Sequence, residues 1–160
     1  EITTRLVGSE MCIRDRYDLG IYPLEVLPYL VDEKILDMEA FVARHSTGVD
    51  DLVSMNLQLE SCIANLQCSF TTKMPEDAYI YGEDGYIRLP KMHFGSRAEL
   101  YNSADECIDS FDSGEENGFV YEVAEVVRCI ENGLLESPIC PHQMTIDAAR
   151  ITSEVLHLNP

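Results

Sequence analysis

The sequence predicts an α+β fold: an open, mainly antiparallel β-sheet with helices packed on one face. Three observations point there. Consecutive runs alternate with period two: Val53, Met55, Leu57 and Leu59 against Ser54, Asn56, Gln58 and Glu60, then Ala64, Leu66, Cys68 and Phe70 against Asn65, Gln67 and Ser69. Such alternation sends one set of side chains to each face of a strand. The connections between runs are only a few residues long, too short for a parallel crossover, so neighbouring strands are antiparallel. Helical periodicity is confined to the two ends of the chain. At 160 residues the chain suits one domain with a real core.

The elements follow in order. Tyr17 to Val31 reads as a helix with Leu24, Leu27 and Val31 on one stripe. Pro23 and Pro28 each lack a donor and clash with the preceding turn, which predicts a kink or restart. From Ile35 the period changes to two, with Leu36, Met38, Ala40 and Val42 opposite Asp37, Glu39, Phe41 and Ala43. The two cleaner runs that follow form a hairpin through Glu60-Ser61-Cys62-Ile63. Ala78 to Tyr81 and Tyr86 to Leu89 form another, around Gly82-Glu83-Asp84-Gly85. Arg97 to Tyr101 and Glu106 to Phe111 add strands. A helix after Asn117-Gly118 carries Phe119, Val123, Val126, Val127 and Ile130 on one side and ends at Asn132-Gly133. Pro138 and Pro141 bracket a loop, and Thr145 is expected to cap a last helix. Its inward residues are Ala148, Ile151, Val155 and Leu158, with Asp147 near its positive end.

One face of this sheet is Val, Leu, Met and Phe and must be covered by helices. The other, on the central hairpin, is Ser, Asn and Gln with almost no charge. Uncharged polar groups can pair across a protein interface without stranding a buried charge, whereas a merely solvated face is the alternative.

The net charge of −18 argues against nucleic acid and anionic membrane as partners. From Asn102 onward there are twelve acidic residues against Arg128 and Arg150. No apolar run approaches the ~20 residues of a membrane helix, and the start of the chain lacks the pattern of a signal peptide. The six cysteines form no CxxC and are expected as buried free thiols in a cytoplasmic protein. Residues 1–16 are expected to be non-native, because Leu6-Val7-Gly8-Ser9-Glu10-Met11-Cys12-Ile13-Arg14-Asp15-Arg16 looks like translated sequencing adaptor. A native polar lead-in is the alternative. Residues 17–160 then make up the domain.

Asp18 and Tyr22 are the candidates for chemistry. At i and i+4 they share one face of a helix, where a carboxylate can orient a phenol that gives or takes a proton. A packed aromatic beside a helix-start carboxylate is the competing reading. His93 and Phe94 follow a strand and sit in a loop, the place where binding residues concentrate. Cys140-Pro141-His142 has no second ligand pair at zinc-site spacing, so no metal is expected. His45 reads as turn, His157 suits a helix C-terminus, and residues 105–116 read as a solvated acidic face. Glu125 and Arg128 read as an i,i+3 surface pair.

Four segments in this order carry a resemblance. Asp18-Leu19-Gly20-Ile21-Tyr22-Pro23-Leu24 looks like an Asp-x-Gly-x-His/Tyr signature. Ile80-Tyr81-Gly82-Glu83-Asp84-Gly85-Tyr86-Ile87-Arg88-Leu89-Pro90 looks like a sheet hairpin of the same family. Gly118-Phe119-Val120-Tyr121-Glu122-Val123 with Val127-Arg128-Cys129-Ile130 looks like its penultimate helix, and Leu134-Leu135-Glu136-Ser137-Pro138 with Pro141 like the loop after it. Together they resemble the C-terminal half of the glucose–fructose oxidoreductase / inositol dehydrogenase / MocA (Gfo/Idh/MocA) family over Tyr17 to Leu158. Tyr22 in place of His, followed by Pro-Leu, is similar to the dihydrodiol dehydrogenase and NADP-linked D-xylose dehydrogenase branch.

The resemblance implies a substrate-binding and dimerisation domain of an NAD(P)-dependent oxidoreductase acting on a sugar or cyclic diol. Tyr22 would be the general acid/base, Asp18 would orient substrate or phenol, and His93 and Phe94 would contact substrate. A phenol is a poor base at neutral pH unless a cation stands beside it, and in the family a lysine from the nucleotide-binding half supplies that charge. The small residues usual before the Asp are absent, as are the Gly-x-Gly-x-x-Gly loop and the Glu-Lys-Pro segment of that half. NADP or NAD would therefore be held mainly by the missing domain, and this chain alone is expected to be inactive. A homodimer through the open sheet face is implied. A non-catalytic binding or assembly module on the same scaffold is the rival, and a biliverdin-reductase-like enzyme is a third reading.

Overall fold

The computed structural model describes residues 20–115 and 117–158, so Tyr17, Asp18 and the adaptor-like segment lie outside the described residues. Among those described, the order is α1 (Ile21–Leu30), β1 (Asp37–Arg44), β2 (Asp50–Gln58), β3 (Ile63–Ser69), β4 (Ala78–Tyr81), β5 (Gly85–Leu89), β6 (Arg97–Asn102), β7 (Cys107–Asp112), α2 (Phe119–Glu131) and α3 (His142–Leu158). The fold is α+β with open antiparallel sheets. The strands divide into a three-stranded sheet, β1-β2-β3, and a four-stranded sheet, β4-β5-β6-β7. Two compact units correspond to them: residues up to 74 with those from 142 onward, and residues 75–141.

In the first unit the register stacks the alternating residues into rows. Ala40 pairs with Met55 and Met55 with Leu66, while Val42 pairs with Val53 and Val53 with Cys68. This face is the core: Val53, Met55 and Leu57 are at most 1% exposed. Leu24 and Leu27 of α1 and Ala148 and Val155 of α3 close over it. Each buried leucine, valine or methionine among them contributes about 1.5–3 kcal/mol on leaving water. Thr152, also buried, donates its hydroxyl to the Ala148 carbonyl at 2.7 Å, so no donor is stranded there.

Two expectations on helices change. Of the kink or restart expected at the prolines, there is no restart: α1 runs from Ile21 to Leu30 as one helix. Pro23 is its third residue, where a backbone N–H has no partner within the helix. Pro28 lies in the last turn, and the Val31 N–H still closes on the Leu27 carbonyl at 2.9 Å. α3 starts at His142, so Thr145 lies within the helix and is not its cap. The Thr145 hydroxyl instead donates to Glu25 Oε1 at 3.3 Å, tying α3 to α1.

The second unit is less dry. Gly85 begins β5 where a Cβ would fall 2.0 Å from the Tyr101 carbonyl oxygen, so only glycine lets β5 and β6 pair there. Ile87 and Leu100 keep 36% and 38% of their surface, and α2 shows Phe119, Val123, Val126, Val127 and Ile130 at 46–72% exposure. The amphipathic period of α2 is as expected, but its apolar stripe faces water. Polar contacts hold its far end. Glu125 accepts two hydrogen bonds from Arg128, both 2.7 Å, one from the Ser137 hydroxyl and one from the Cys129 thiol at 3.4 Å. This is more than the expected surface pair, because it fastens the loop after the helix. Gly133, with φ 65°, turns the chain there.

The described cysteines are all free. Cys68 and Cys129 are buried as expected, Cys62 is half-buried, and Cys107 and Cys140 are exposed. Cys107 opens β7, a strand with every residue exposed, so its side chain has nothing to pack beneath. The acidic stretch predicted as a solvated loop face includes this strand. No helix among the described residues is long and apolar enough to cross a membrane.

Candidate active site

Helix α1 fixes where Tyr22 points. Leu24 and Leu27 must face the sheet, and successive helical residues turn by about 100°, which carries position 22 to the outer side. Tyr22 is 46% exposed, so its ring is not sealed into the core. The helix beneath it is anchored by its buried leucines and by the Glu25–Thr145 contact. Asp18, its expected partner, lies outside the described residues.

His93 and Phe94 belong to the second unit and are brought together, with ring centroids 4.2 Å apart. Phe94 is 67% exposed. They sit on the loop between β5 and β6, and this loop is tightly wound. Lys91 has a left-handed φ of 48°, and the Phe94 N–H closes on the Lys91 carbonyl at 2.8 Å. A Cβ at Gly95 would lie 2.1 Å from the Pro90 carbonyl oxygen, so the two ends of the loop meet only because residue 95 is glycine.

Beside this loop runs a charged chain. Asp77 Oδ2 accepts from Arg88 Nε at 2.8 Å and Nη2 at 2.7 Å. Arg88 reaches Glu99 at 3.4 Å, and Glu99 accepts from the Tyr101 hydroxyl at 3.1 Å. The Lys91 N–H and then the Arg88 guanidinium hold the Asp77 carboxyl below the usual carboxylate range. The Glu99 carboxylate, with burial, pushes the Tyr101 phenol up. Next to these lie Tyr79, Tyr81 and Tyr86. Tyr86 stacks on Tyr101 at 4.9 Å, and Tyr79 on Tyr81 at 5.8 Å. Sequence reasoning missed this ladder. The signal was there, because Tyr79 and Tyr81 are i,i+2 on one strand and Tyr86 pairs with Tyr81 across the hairpin turn.

A model of the GFO/IDH/MocA C-terminal domain matches residues 16–88, which span α1 and β1 to β5. The trans-1,2-dihydrobenzene-1,2-diol dehydrogenase of Mus musculus is 30% identical over 132 residues, covering 78% of this chain and 39% of that protein. Residues 16–88 thus resemble a GFO/IDH/MocA C-terminal domain. It spans about two-fifths to half the length of the curated relatives it matches. Aldose-aldose oxidoreductase from Caulobacter crescentus, solved in complex with glycerol, superposes with a TM-score of 0.76 at 17% identity. That match covers 90% of this chain and 44% of the other. UDP-N-acetylglucosamine 3-dehydrogenase from Acidithiobacillus ferrooxidans gives 0.71 at 18% identity, over 88% of this chain and 45% of the other. At these identities the two structures show the fold of the domain. Of the residues singled out from sequence, Asp18 and Tyr22 fall within the matched segment, while His93 and Phe94 lie just beyond it.

Proposed function

We propose that this domain is the substrate side of an NAD(P)-dependent oxidoreductase that moves a hydride between nicotinamide and a sugar or cyclic diol, in the manner of a dihydrodiol or D-xylose dehydrogenase. The observation that carries the reading is that Tyr22, half exposed on the side of α1 away from Leu24 and Leu27, lies within the segment that matches the family. The nicotinamide supplies the hydride chemistry when bound. Tyr22 holds or releases the proton at its Oη as the substrate oxygen changes state, and Asp18 orients the phenol or the substrate. His93 and Phe94 contact substrate. The rival reading of a packed aromatic at position 22 is disfavoured by its exposure.

The dinucleotide itself does not fit the described residues. A pyrophosphate cradle is built from a strand that turns through glycines into a helix N-terminus within a parallel sheet, and every strand pair here is antiparallel. On this reading the chain is the C-terminal half of a longer enzyme, the cofactor is held by an N-terminal half, and residues 1–16 are foreign to it. By itself it is inactive.

In the intact enzyme, Tyr22→Phe lowers kcat by about 10²–10⁴-fold, the usual worth of a positioned acid/base group. Steady-state kinetics with a cyclic diol and with an aldose check this, and unchanged turnover would refute the proton-transfer role.

The enzyme works as a homodimer through the open face of the three-stranded sheet. That face carries Ser54, Asn56 and Gln67, with Asn65 Nδ2 donating to Asn56 Oδ1 at 2.6 Å. On the same face Phe41 and Ile63 are 67% and 71% exposed, with Asp37 and Glu39 along its β1 edge, and exposed apolar side chains of this size support an interface there. Phe41→Glu turns the dimer into monomer in sedimentation velocity, and a dimer that survives it rules this face out.

A further inference from the structure

The loop that carries His93 and Phe94 hangs from one carboxylate outside it. Asp77 precedes β4, whereas the loop follows β5, so the contact spans the hairpin. Its two oxygens are divided. Oδ2 takes the Arg88 guanidinium near the end of β5, and Oδ1 takes the Lys91 backbone N–H at 3.1 Å. A second backbone bond, Met92 N–H to the Glu76 carbonyl at 2.8 Å, lies directly beside it. The Asp77 side chain is only 13% exposed. Lys91 is the residue held at positive φ, a conformation a lysine adopts only when its surroundings impose it. The contact at Gly95 closes the other end. A loop fixed at both ends nonetheless shows water an aromatic ring, Phe94. Rigid display of an exposed ring lowers the ordering cost of binding.

We infer that Asp77 is a positioning residue for substrate: through the Lys91 amide it holds the 90–95 loop in the shape that presents Phe94 and His93. This rests on the proposed substrate contact of that loop. Arg88 is the brace that keeps Asp77 aimed, and the substrate never touches either.

The test separates the loop from the parent reading. In the intact dehydrogenase, Asp77→Ala raises KM about tenfold with kcat within about twofold, the loss expected for one charge-assisted hydrogen bond acting on binding. Asp77→Asn, which keeps an acceptor for the Lys91 N–H but turns an NH2 toward Arg88, restores part of the loss. Phe94→Ala raises KM to a similar degree, and the double variant with Asp77→Ala is no worse than either alone. In the chain itself, hydrogen exchange at the Lys91 and Met92 amides speeds up in Asp77→Ala and recovers in Asp77→Asn. If Phe94→Ala raises KM while Asp77→Ala does not, the positioning role is overturned and the substrate loop stands. If neither moves KM while Tyr22→Phe abolishes turnover, the substrate loop falls as well. An intact protein with no dehydrogenase activity refutes the parent reading, and unchanged exchange at Lys91 overturns the latch by itself.

Discussion

On the three-stranded sheet, Val53 and Leu57 have no exposed surface, whereas on the four-stranded sheet Ile87 and Leu100 keep more than a third of theirs. Both sheets are antiparallel and both alternate. The difference is what lies above them: α1 and α3 close the first with leucine, alanine and valine, while α2 turns its valines to water. The second unit relies more on directed polar contacts, Asp77–Arg88–Glu99–Tyr101 on the sheet and Glu125–Arg128–Ser137 on the helix. A dry core tolerates little change in volume. A polar lattice is sensitive to charge, and so to pH.

The largest expected effect is therefore in the first unit. Leu57→Ala costs about 2–5 kcal/mol, as for a fully enclosed leucine that leaves a cavity. Leu100→Ala, on the wetter sheet, costs about 1 kcal/mol or less. Urea denaturation of both variants checks the contrast, and equal losses would show that the two sheets are equally well packed.

A smaller effect, confined to the second unit, follows from Glu125. Hydrogen bonds from Arg128, then from Ser137, hold its carboxyl down to about 2. A carboxylate whose folded value lies below its unfolded one lends stability that is present above about pH 4.5 and is lost as the pH falls toward 2. Amide resonances of Ser137 and Ile139 should accordingly stay native at pH 5 and change between pH 4 and 2. Glu125→Gln should abolish that transition while leaving the amides of β2 unmoved.

Much of the fold is legible in the residues. The run from Val53 to Leu59 declares its inward face, and Asn132-Gly133 marks the end of α2. The outward position of Tyr22 follows from the spacing of Leu24 and Leu27, which claim the opposite side of the helix. Less could be read where the physics is not local. The Asp77–Arg88 contact joins residues eleven apart across a hairpin, with no periodicity to announce it. Gly95 looks like any loop glycine until the Pro90 carbonyl is seen above it. Thr145 has the chemistry of a cap, but the helix gains another turn upstream after Pro141, and the hydroxyl finds Glu25. The stripe on α2 reveals its period, not whether anything covers it.

That wet stripe has a thermodynamic consequence. Melting a protein raises its heat capacity chiefly because apolar groups newly meet water. The α2 side chains are hydrated before melting begins, so they add little to that rise. The unit that holds them then has a flatter dependence of stability on temperature than its length would suggest, and cooling weakens it less than it weakens the leucine-filled sheet.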